Sequence, residues 1–560
     1  MAAAQRSKRE ELVFVPLGGV GEIGMNLYLY GLGRGDVRQW LMIDLGVSFP
    51  GEKEPGVDLI LPDTRFIEEE RHNLAGILLT HAHEDHFGAV IDLWSRLRAP
   101  VYATPFTAGL LTAKLNEYGL NGQIPLEIVK LGSRFEVGRF DIELVNMAHS
   151  IPEPNAVVIR TAAGTAVHTG DWKLDPHPIV GVPTDEPRLR TIGAEGVDAL
   201  VCDSTNVLRE GISPSEADVA ETLAEIVAQA QKRVAVTTFA SNVARLRSVL
   251  AAAERAERHV VIVGRAMHRI VQVAQETGHL PEHVELLTED DYGYLPREKV
   301  VALCTGSQGE PRAALARIAA SAHPRVSFAA GDTVVFSSRT IPGNEKAVAA
   351  VQNDLSDIGV RIVSDADALV HVSGHPRRGE LEQMYDWIRP ASVIPMHGEA
   401  RHLREHAVFA RACGVPHTAA SRNGVMIRLA PDVPDVIDDV PSGRLYKDGR
   451  LYVSADDNTV RERRKLSYVG AVAVSVVLDR RGDIAAEPQV ALKGMPDADG
   501  DGAPLEEIAL QAVAGALAGI PRPRRRDRET VGEAVRRSVR AAIYQAWGKR
   551  PICSVLVSVV

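Results

Sequence analysis

One short segment, residues 80–88 (Thr-His-Ala-His-Glu-Asp-His-Phe-Gly), constrains the fold of this 560-residue chain more than any other. It follows an apolar run at residues 77–79 that predicts a buried strand, and it precedes residues 89–94, which predict a helix. Its histidines and acids therefore lie on a loop at the carboxyl end of a strand, where open α/β sheets place their binding sites. We expect an α/β protein organised around this loop.

The spacing of residues within the loop predicts a metal site. His81 and His83 are two positions apart, so in an extended segment both side chains point the same way. Asp85 and His86 fall where the helix begins and can turn towards a second point. Two ions a few ångströms apart would suit this arrangement. The alternative, a polar loop whose histidines bind nothing, is disfavoured by three histidines and an aspartate within six residues.

Other candidate site residues stand at or near the ends of further predicted strands. They are Asp44, His149, Asp171, Asp203 and His397. A lone aspartate or histidine in such a position is usually structural, and for Asp44 the alternative is a helix or turn cap. His149 and Asp171 each follow a predicted strand, and the ions predicted at residues 81–86 need further ligands, which favours a functional role for both.

The segment His-Ala-His-Glu-Asp-His resembles the metal motif of the metallo-β-lactamase superfamily. Strings elsewhere in the chain narrow the resemblance to the β-CASP nucleases and, within them, to the ribonuclease J family. These strings are PLGGVGEIGMN (16–26), TFASN (238–242), CTGSQGE (304–310), SRTIPGNE (338–345) and HVSGH (371–375). The chain departs from the family pattern at Ala266, where serine is expected, and at Arg312, where methionine is usual.

The resemblance implies an α/β fold: a metallo-β-lactamase αββα core with an inserted α/β β-CASP domain and a small C-terminal α+β domain. The predicted boundaries are a flexible N-terminal tail at 1–10, the first part of the core at 11–207, the β-CASP domain at 208–368, the return segment of the core at 369–430, a linker at 431–445 and the C-terminal domain at 446–560. The first helix of the insert is predicted to begin with Ser213 as its N-cap and Pro214 at its first position. Proline and aspartate indicate the linker.

Composition adds only broad limits. Hydrophobic residues at 45% and charged residues at 24% are typical of a globular protein. Neither a membrane-spanning run nor a secretory signal is recognisable, and four widely spaced cysteines fit a reduced compartment, so a cytoplasmic location is expected.

The net charge of −10 argues against a surface that binds nucleic acid throughout, but it allows a local basic channel. Residues 521–550 hold ten Lys/Arg against three Asp/Glu, which indicates a solvated helix face or a surface that contacts RNA or a subunit.

The resemblance implies two Zn²⁺ ions per subunit, with Mn²⁺ or Mg²⁺ as further metals that support activity. The implied ligands are His81, His83 and His149 for one ion, Asp85, His86 and His397 for the other, and Asp171 as the bridge. Imidazoles and carboxylates without thiolates suit Zn²⁺ or Mn²⁺ in a catalytic site. The implied catalytic residues are Asp85, His375, Asp44 and Asp203, the last two as acids that orient a ligand or His375.

A departing ribose oxygen needs a proton, and His375 is the candidate general acid. His371 is its rival, and a structural or phosphate-binding role for His375 stays open. A pocket for a 5′-monophosphate is expected where a helix N-terminus and a small-residue turn offer free amides. The residues assigned to substrate binding are Ser241, Asn242, Arg265, His371, Ser373, Gly374 and His375. The alternative for Ser241 is that it merely caps its helix.

The resemblance thus implies a zinc-dependent ribonuclease that hydrolyses RNA phosphodiester bonds in RNA decay and rRNA maturation. We expect a 5′-to-3′ exonuclease that prefers 5′-monophosphate ends, with an additional endonuclease activity in some relatives. The expected partners are single-stranded RNA and other RNA-decay proteins. We expect a homodimer or a homotetramer, and no association with a membrane. The alternatives are a β-CASP nuclease that acts on DNA, another hydrolase on the same core, and a catalytically silent RNA-binding scaffold.

Overall fold

The computed structural model describes residues 9–341 and 343–560 in two compact units. The first unit contains residues 9–48 and 60–445, and the second contains residues 49–59 and 446–560. The predicted flexible tail at 1–10 falls almost wholly outside the described residues. That tail and the predicted domain boundaries stay predictions.

Two mixed sheets form the core of the first unit. The first sheet consists, in spatial order, of the strands Asp435–Asp439, Val425–Ala430, Glu11–Gly18, Leu27–Gly33, Gln39–Ile43, Leu74–Leu78, Val101–Ala103 and Leu126–Ile128. The second consists of His417–Thr418, Ser392–Met396, Ala199–Asp203, Thr165–His168, Asn155–Arg160, Phe140–Asn146 and Arg134–Val137. Phe14 and Tyr30 of the first sheet and Ile142 and Ile159 of the second belong to one fully buried apolar cluster, so the two sheets pack face to face.

Helices pack on the outer face of the second sheet. Leu189, Leu381 and Trp387 pack with Val167 and Leu200 of the second sheet in a separate apolar cluster. The helices of this part of the chain are Arg65–Glu69, Glu84–Phe87, Val90–Leu97, Pro105–Glu117, Glu186–Glu195, Arg378–Ile388 and Ala400–Ala412. The helix after the central loop and the strand before it agree with the sequence prediction.

The site is positioned by three neighbouring parallel strands of the second sheet. Ala199–Asp203 pairs in parallel with Thr165–His168 on one side and with Ser392–Met396 on the other. Their carboxyl ends therefore meet at one edge of the sheet. Asp203 ends its strand there, His397 directly follows another, and Asp171 lies three residues beyond the third.

The insert contains a six-stranded sheet in which every described pairing is parallel. Its strands, in spatial order, are Leu286–Leu287, His259–Val263, Val300–Cys304, Val234–Thr237, Thr333–Phe336 and Arg361–Val363. Its helices are Glu216–Gln229, Val243–Arg255, Arg265–Glu276, Ala314–Ala319 and Glu345–Asp357. Sheets of this kind are covered on both faces, which explains the continuous apolar runs in the sequence.

The predicted N-cap of the first insert helix was wrong. Ser215 caps the helix, because its hydroxyl accepts a hydrogen bond from the N–H of Ala217 and the Asp218 side chain accepts one from the N–H of Ser215. Ser213 instead donates from its N–H and its hydroxyl to the carboxylate of Glu380. Serine occurs at both positions, and the tertiary contact with Glu380 decides between them.

The predicted linker contains ordered structure. Residues 435–439 form an edge strand that pairs antiparallel with Val425–Ala430. Its side chains are mostly exposed, and it therefore lacks the apolar alternation by which a strand is recognised in sequence. Further short strands are Val20–Gly21, Leu59–Pro62, Gly398–Glu399, Arg444–Asp448 and Leu451–Ser454.

The second unit has a three-stranded sheet with two long helices packed against it. The central strand, Ala471–Leu478, pairs antiparallel with Ile484–Lys493 and in parallel with Ile552–Val559. The helices of this unit are Asn458–Val469, Leu505–Gly519 and Arg528–Trp547. The helix Asn458–Val469 ends at Gly470, whose φ of 63° is left-handed. No described helix is both long and apolar enough to cross a membrane.

Candidate metal centre

The seven predicted ligands come together in two groups that share one carboxylate. The first group is His81, His83, His149 and Asp171, and the second is Asp85, His86, Asp171 and His397. Within each group the possible ligand atoms lie within 4.8 Å of one another. The structure thus brings the seven residues to one place, with Asp171 common to both groups.

Nitrogen atoms of three histidines face one another in the first group. The Nδ1 atom of His83 lies 3.1 Å from the Nε2 atom of His81 and 3.1 Å from the Nε2 atom of His149. The Oδ2 atom of Asp171 lies 4.0 Å from the first of these Nε2 atoms and 3.8 Å from the second. Ligands on a tetrahedral zinc ion at about 2.0–2.1 Å are separated by about 3.3 Å, so these spacings fit one ion.

The second group has similar distances between its possible ligand atoms, but it contains two carboxylates where the first group contains one. The Oδ2 atom of Asp171 lies 3.2 Å from the Nε2 atom of His86 and 3.5 Å from the Nε2 atom of His397. The Oδ2 atom of Asp85 lies 3.7 Å and 3.9 Å from the same two nitrogens. This donor set, two imidazoles and two carboxylates, suits zinc or manganese.

Hydrogen bonds outside the two groups orient four of the imidazoles. The Nδ1 atom of His81 lies 2.9 Å from the Thr80 hydroxyl. The Nδ1 atoms of three further histidines each lie beside an oxygen: that of His86 is 2.6 Å from Asp44 Oδ2, that of His149 is 2.6 Å from the carbonyl oxygen of Gly374, and that of His397 is 2.7 Å from Asn26 Oδ1. Because carbonyl and carboxylate oxygens only accept, Nδ1 of the last three carries the hydrogen, and Nε2 presents its lone pair to the centre. Metal-binding histidines in proteins are commonly oriented in this way.

Asp44 is fully buried and connects the central loop to one predicted ligand, His86. Its carboxylate accepts hydrogen bonds from the N–H and the hydroxyl of Thr80, at 2.8 and 2.9 Å, as well as from His86. The backbone of Asp44 has a φ of 62° and that of His397 a φ of 49°, both left-handed conformations that cost energy for these residues. Such strain is concentrated at functional sites, because the surrounding structure holds it in place.

Burial and neighbouring charges set the protonation states of the ligands. Burial, with the neighbouring His86, holds the pKa of His81 well below its usual range, and burial lowers the pKa of His83 to about 4. Burial opposes ionisation of Asp171, but His397 and His86 hold the pKa of that carboxyl well below its usual range. Burial lowers the pKa of His86, but Asp171, Asp44 and Asp85 outweigh burial and raise it well above its usual range. His81 and His83 therefore have the neutral form and Asp171 the ionised form that bind metal, whereas His86 would release a proton when metal binds.

Two buried polar atoms in the centre have no hydrogen-bond partner among the described residues. They are the Oδ1 atom of Asp171 and the Nε2 atom of His397. An unpaired buried acceptor is costly, and both atoms belong to the predicted ligand set. The residues therefore fit the metal ions that the family resemblance implies.

His375 lies beside the ligands without belonging to the seven. Its Nδ1 atom is 2.7 Å from the Oδ2 atom of Asp203, a fully buried carboxylate, and 3.8 Å from the Oδ2 atom of Asp171. Burial disfavours its protonation, but these two carboxylates outweigh burial and raise the pKa of His375 to about 9. The imidazole is also stacked on that of His397, with ring centroids 5.4 Å apart.

The structure places the predicted phosphate-pocket residues in two sets. Ser373, Gly374 and His375 lie in a turn against the centre, because Gly374 accepts from His149 and His375 lies beside Asp171. Asn206 supports this turn by donating from Nδ2 to the Ser373 hydroxyl at 2.8 Å and to the His375 carbonyl at 3.0 Å. Asn242, rather than Ser241, caps the helix Val243–Arg255, so the capping alternative for Ser241 is wrong.

His371 is near that helix start, whereas no contact described ties Arg265 to the loop. Arg245, in the first turn of the helix, donates to the carbonyl of Val370, 2.6 Å away and next to His371. Burial, with Arg245 and other cations that include Arg209 and Arg339, lowers the pKa of His371 to about 3. Arg265 is exposed at the start of its own helix.

Sequence reasoning missed three residues that support the centre. Asn26 accepts from His397 and from the hydroxyl of Tyr28, and it donates to the carbonyl of Asp85. Thr80 links Asp44 to His81, and Asn206 holds the loop of His375. Asn26 ends the glycine-rich string at 16–26, so that string was the available signal; its partners are too far away in sequence for spacing to reveal them.

Four family descriptions match successive parts of the chain. They are "Beta-lactamase superfamily domain" at residues 40–238, "Ribonuclease J, beta-CASP domain" at 231–355, "Zn-dependent metallo-hydrolase RNA specificity domain" at 359–417 and "Ribonuclease J C-terminal domain" at 458–560. The chain is 55% identical over 549 residues to a protein named Ribonuclease J of Sinorhizobium meliloti, with 98% of this chain and 97% of that protein covered. The chain belongs to the ribonuclease J family.

More distant members of the ribonuclease J family agree with this assignment. The Ribonuclease J of Mycolicibacterium smegmatis is 40% identical, with 96% of this chain and 95% of that protein covered. That of Thermus thermophilus is 38% identical, with 85% and 84% covered. A crystal structure of a protein of unknown function from Enterococcus faecalis V583 has a TM-score of 0.51 and 16% identity, covers 75% of this chain and 100% of that one, and shows a similar fold only.

The family membership decides several predictions. The predicted fold, a metallo-β-lactamase domain with an inserted β-CASP domain and a C-terminal domain, is confirmed. The protein is a metal-dependent ribonuclease of the ribonuclease J family, and it binds RNA. Its family is zinc-dependent, and its His/Asp cluster is able to hold metal. The ligand assignment itself, the number of ions and the direction of cleavage are not decided by membership.

Proposed function

We propose that this ribonuclease degrades single-stranded RNA from the 5′ end, prefers 5′-monophosphate ends, and uses two zinc ions per subunit held by the seven residues of the candidate metal centre. The observation that carries this proposal is that Gly374 and His375, in the loop at residues 371–375, lie directly against that centre. We propose roles in RNA decay and rRNA maturation and, from the four free cysteines, a cytoplasmic location.

Bound zinc would supply Lewis acidity and a water nucleophile that is activated near neutral pH. The protein side chains have separate tasks. Asp44 and Asn26 hold the imidazoles of His86 and His397 in a fixed tautomer and orientation, and Thr80 orients that of His81. Asp203 holds His375 through Nδ1, which leaves Nε2 to donate a proton to the leaving ribose oxygen.

His375 is preferred to His371 as this proton donor on geometric grounds. The imidazole of His375 stacks on a ligand, His397, and contacts the His149 ring edge-on at 5.3 Å. No contact between His371 and a ligand is described. We assign His371 to binding of the terminal phosphate, since cationic side chains surround it and a cationic environment attracts an anion.

The same loop offers hydrogen-bond donors for that phosphate. Among the described residues, no backbone N–H of Ser373, Gly374 or His375 donates a hydrogen bond. Arg209 and Arg339 form no ion pair with a described carboxylate, so both guanidinium groups are free to bind phosphate. A pocket sized for a monophosphate would accept a triphosphate poorly, which gives the expected order of substrates.

The test compares one RNA prepared with three different 5′ ends. Mononucleotides should be released from the 5′ side fastest for the monophosphate, more slowly for the hydroxyl and least for the triphosphate. Equal rates on all three ends, or first products from the 3′ side, would contradict the pocket. Equal cleavage of a matched single-stranded DNA would favour the alternative of a nuclease that does not distinguish the two sugars.

We also propose that the protein forms a homodimer or homotetramer partly through residues 446–560. Among the described residues, the strand Ile552–Val559 pairs on one side only, and Leu556 and Val560 are 69% and 67% exposed. An unprotected apolar edge strand is usually covered by a partner. Light scattering at micromolar concentration should return a multiple of the chain mass, and a monomer would contradict the proposal.

A further inference from the structure

The second unit carries an exposed helix, Asn458–Val469, that does little packing. Val460 is its one buried residue, whereas Arg461, Arg464 and Lys465 are exposed and Tyr468 is 68% exposed. Residues three and four apart share a helix face, so the three cations and the tyrosine lie along one side. Such a face contributes little to the core and is available for binding.

The end of the last helix adds cations and aromatic rings to the same place. The Nζ atom of Lys549 lies 4.4 Å from the ring centroid of Tyr468 and 5.1 Å from that of Trp547, and it donates to the Tyr468 carbonyl at 3.1 Å. The guanidinium of Arg550 lies 4.6 Å from the ring of Tyr544, which is 45% exposed. Lys549 therefore joins the two segments into one continuous surface.

The cations of this surface are not neutralised. Within the described part of the chain, Arg461, Arg464, Lys465, Lys549 and Arg550 make no ion pair with a carboxylate. Arg463 on the same helix does, to Asp448 at 2.5 Å, and it is therefore excluded from the surface. Free cations bind phosphates, and exposed aromatic faces stack on bases whatever their sequence.

We propose that this surface, residues 461, 464, 465, 468, 544, 547, 549 and 550, is a second binding site for single-stranded RNA. Lys549 lies over the rings of Tyr468 and Trp547, and Arg550 lies over that of Tyr544. The exposed surface of Tyr468 and Tyr544 receives bases, while the arginines and lysines bind the phosphates between them. The inference rests on the ribonuclease function but on neither the 5′-phosphate pocket nor the number of metal ions.

The test measures RNA binding by the full-length protein without cleavage. Fluorescence anisotropy in the presence of a chelator compares a labelled RNA of about 30 nucleotides with one of about five, since single-strand sites extend over about 4–16 nucleotides. The variants are Arg464→Glu with Lys465→Glu, Tyr468→Ala and Tyr468→Phe. Arg526→Glu with Arg528→Glu is the matched control, because both arginines are exposed in the same unit without a described aromatic contact.

We expect affinity for the long RNA to fall at least about tenfold in the double charge reversal and about fivefold in Tyr468→Ala, with Tyr468→Phe and the control within about twofold of wild type. An equal loss in the control, or no loss in the Tyr468 and Arg464/Lys465 variants, would overturn the proposal. A change of molar mass in light scattering with unchanged RNA affinity would assign the surface to a second copy of the chain. Because binding is measured without cleavage, failure of the 5′-end proposal would leave this result interpretable.

Discussion

The Nδ1 atom of His375 lies 2.7 Å from the Oδ2 atom of Asp203, a carboxylate with no exposed surface. The two residues are 172 positions apart in the chain, and Asp203 ends a strand of the second core sheet. A buried carboxylate that accepts from one ring nitrogen fixes the orientation of the imidazole and the proton on that nitrogen. The pair thus connects the sheet to the proposed proton donor.

His375→Ala should keep its metal and lose turnover by about 10²–10⁴-fold, the usual contribution of a general acid. Asp203→Asn should lose turnover as well, because an amide of similar size no longer fixes the donating imidazole. Single-turnover kinetics and metal content are measured on the same preparations. A full cleavage rate in a metal-replete His375→Ala variant would move the role to His371 or to water.

Gly374→Ala should weaken metal binding about 10–100-fold, as loss of a group that orients a ligand does. A Cβ atom at Gly374 would lie 2.4 Å from two atoms of the His149 ring, so the ligand must move. Gly515→Ala is the control, since nothing lies within 4 Å of its Cβ position. Competition with a chromogenic chelator gives the affinities, and equal values for both variants would show that the loop of His375 does not hold His149.

Local and distant contributions to the site differ in how well sequence reveals them. The predicted ligands from His81 to His86 are recognisable because three imidazoles and a carboxylate in six residues have few other uses. Asn26 could not be assigned in this way, because its partner His397 is 371 residues away and only the folded chain brings them together. The carbonyl of Gly374 carries no side-chain signal at all.

The errors in the predicted fold have a related cause. The helix Asn458–Val469 was missed because it buries Val460 alone, so its sequence lacks an apolar stripe. The edge strand within the predicted linker has mainly exposed side chains for the same reason. Elements that pack tightly leave a periodic pattern in sequence, and elements at the surface do not.

Glu216→Gln should lower the free energy of unfolding of the first unit by about 3–5 kcal/mol, because it leaves a buried charge unpaired. Glu216 accepts from Arg245 at 2.8 Å, and neither side chain is more than 2% exposed. Arg245 also donates to the carbonyl of Val370. Because the substitution leaves Arg245 without its carboxylate partner, the loop of His371 should become more mobile.

Glu221→Gln serves as the matched control for that stability measurement. Its partner Arg255 lies 3.2 Å away, but the two side chains are 70% and 62% exposed, so the loss should be about 0–1 kcal/mol. Urea denaturation followed by fluorescence and activity compares both variants with wild type. Equal free energies of unfolding for the two variants would show that the buried Glu216–Arg245 pair does not stabilise the contact between the insert and the loop of His371.

The account depends most on the two ligand groups that share Asp171, and metal content tests this most directly. Elemental analysis of pure, active protein should find two transition-metal ions per chain, zinc foremost. Asp171→Ala should lose both metal and RNA cleavage, because the shared carboxylate serves both groups, while His72→Ala, at an exposed histidine outside them, should keep both. Active protein without a transition metal, or an Asp171→Ala variant with full metal content and full cleavage, would contradict the account.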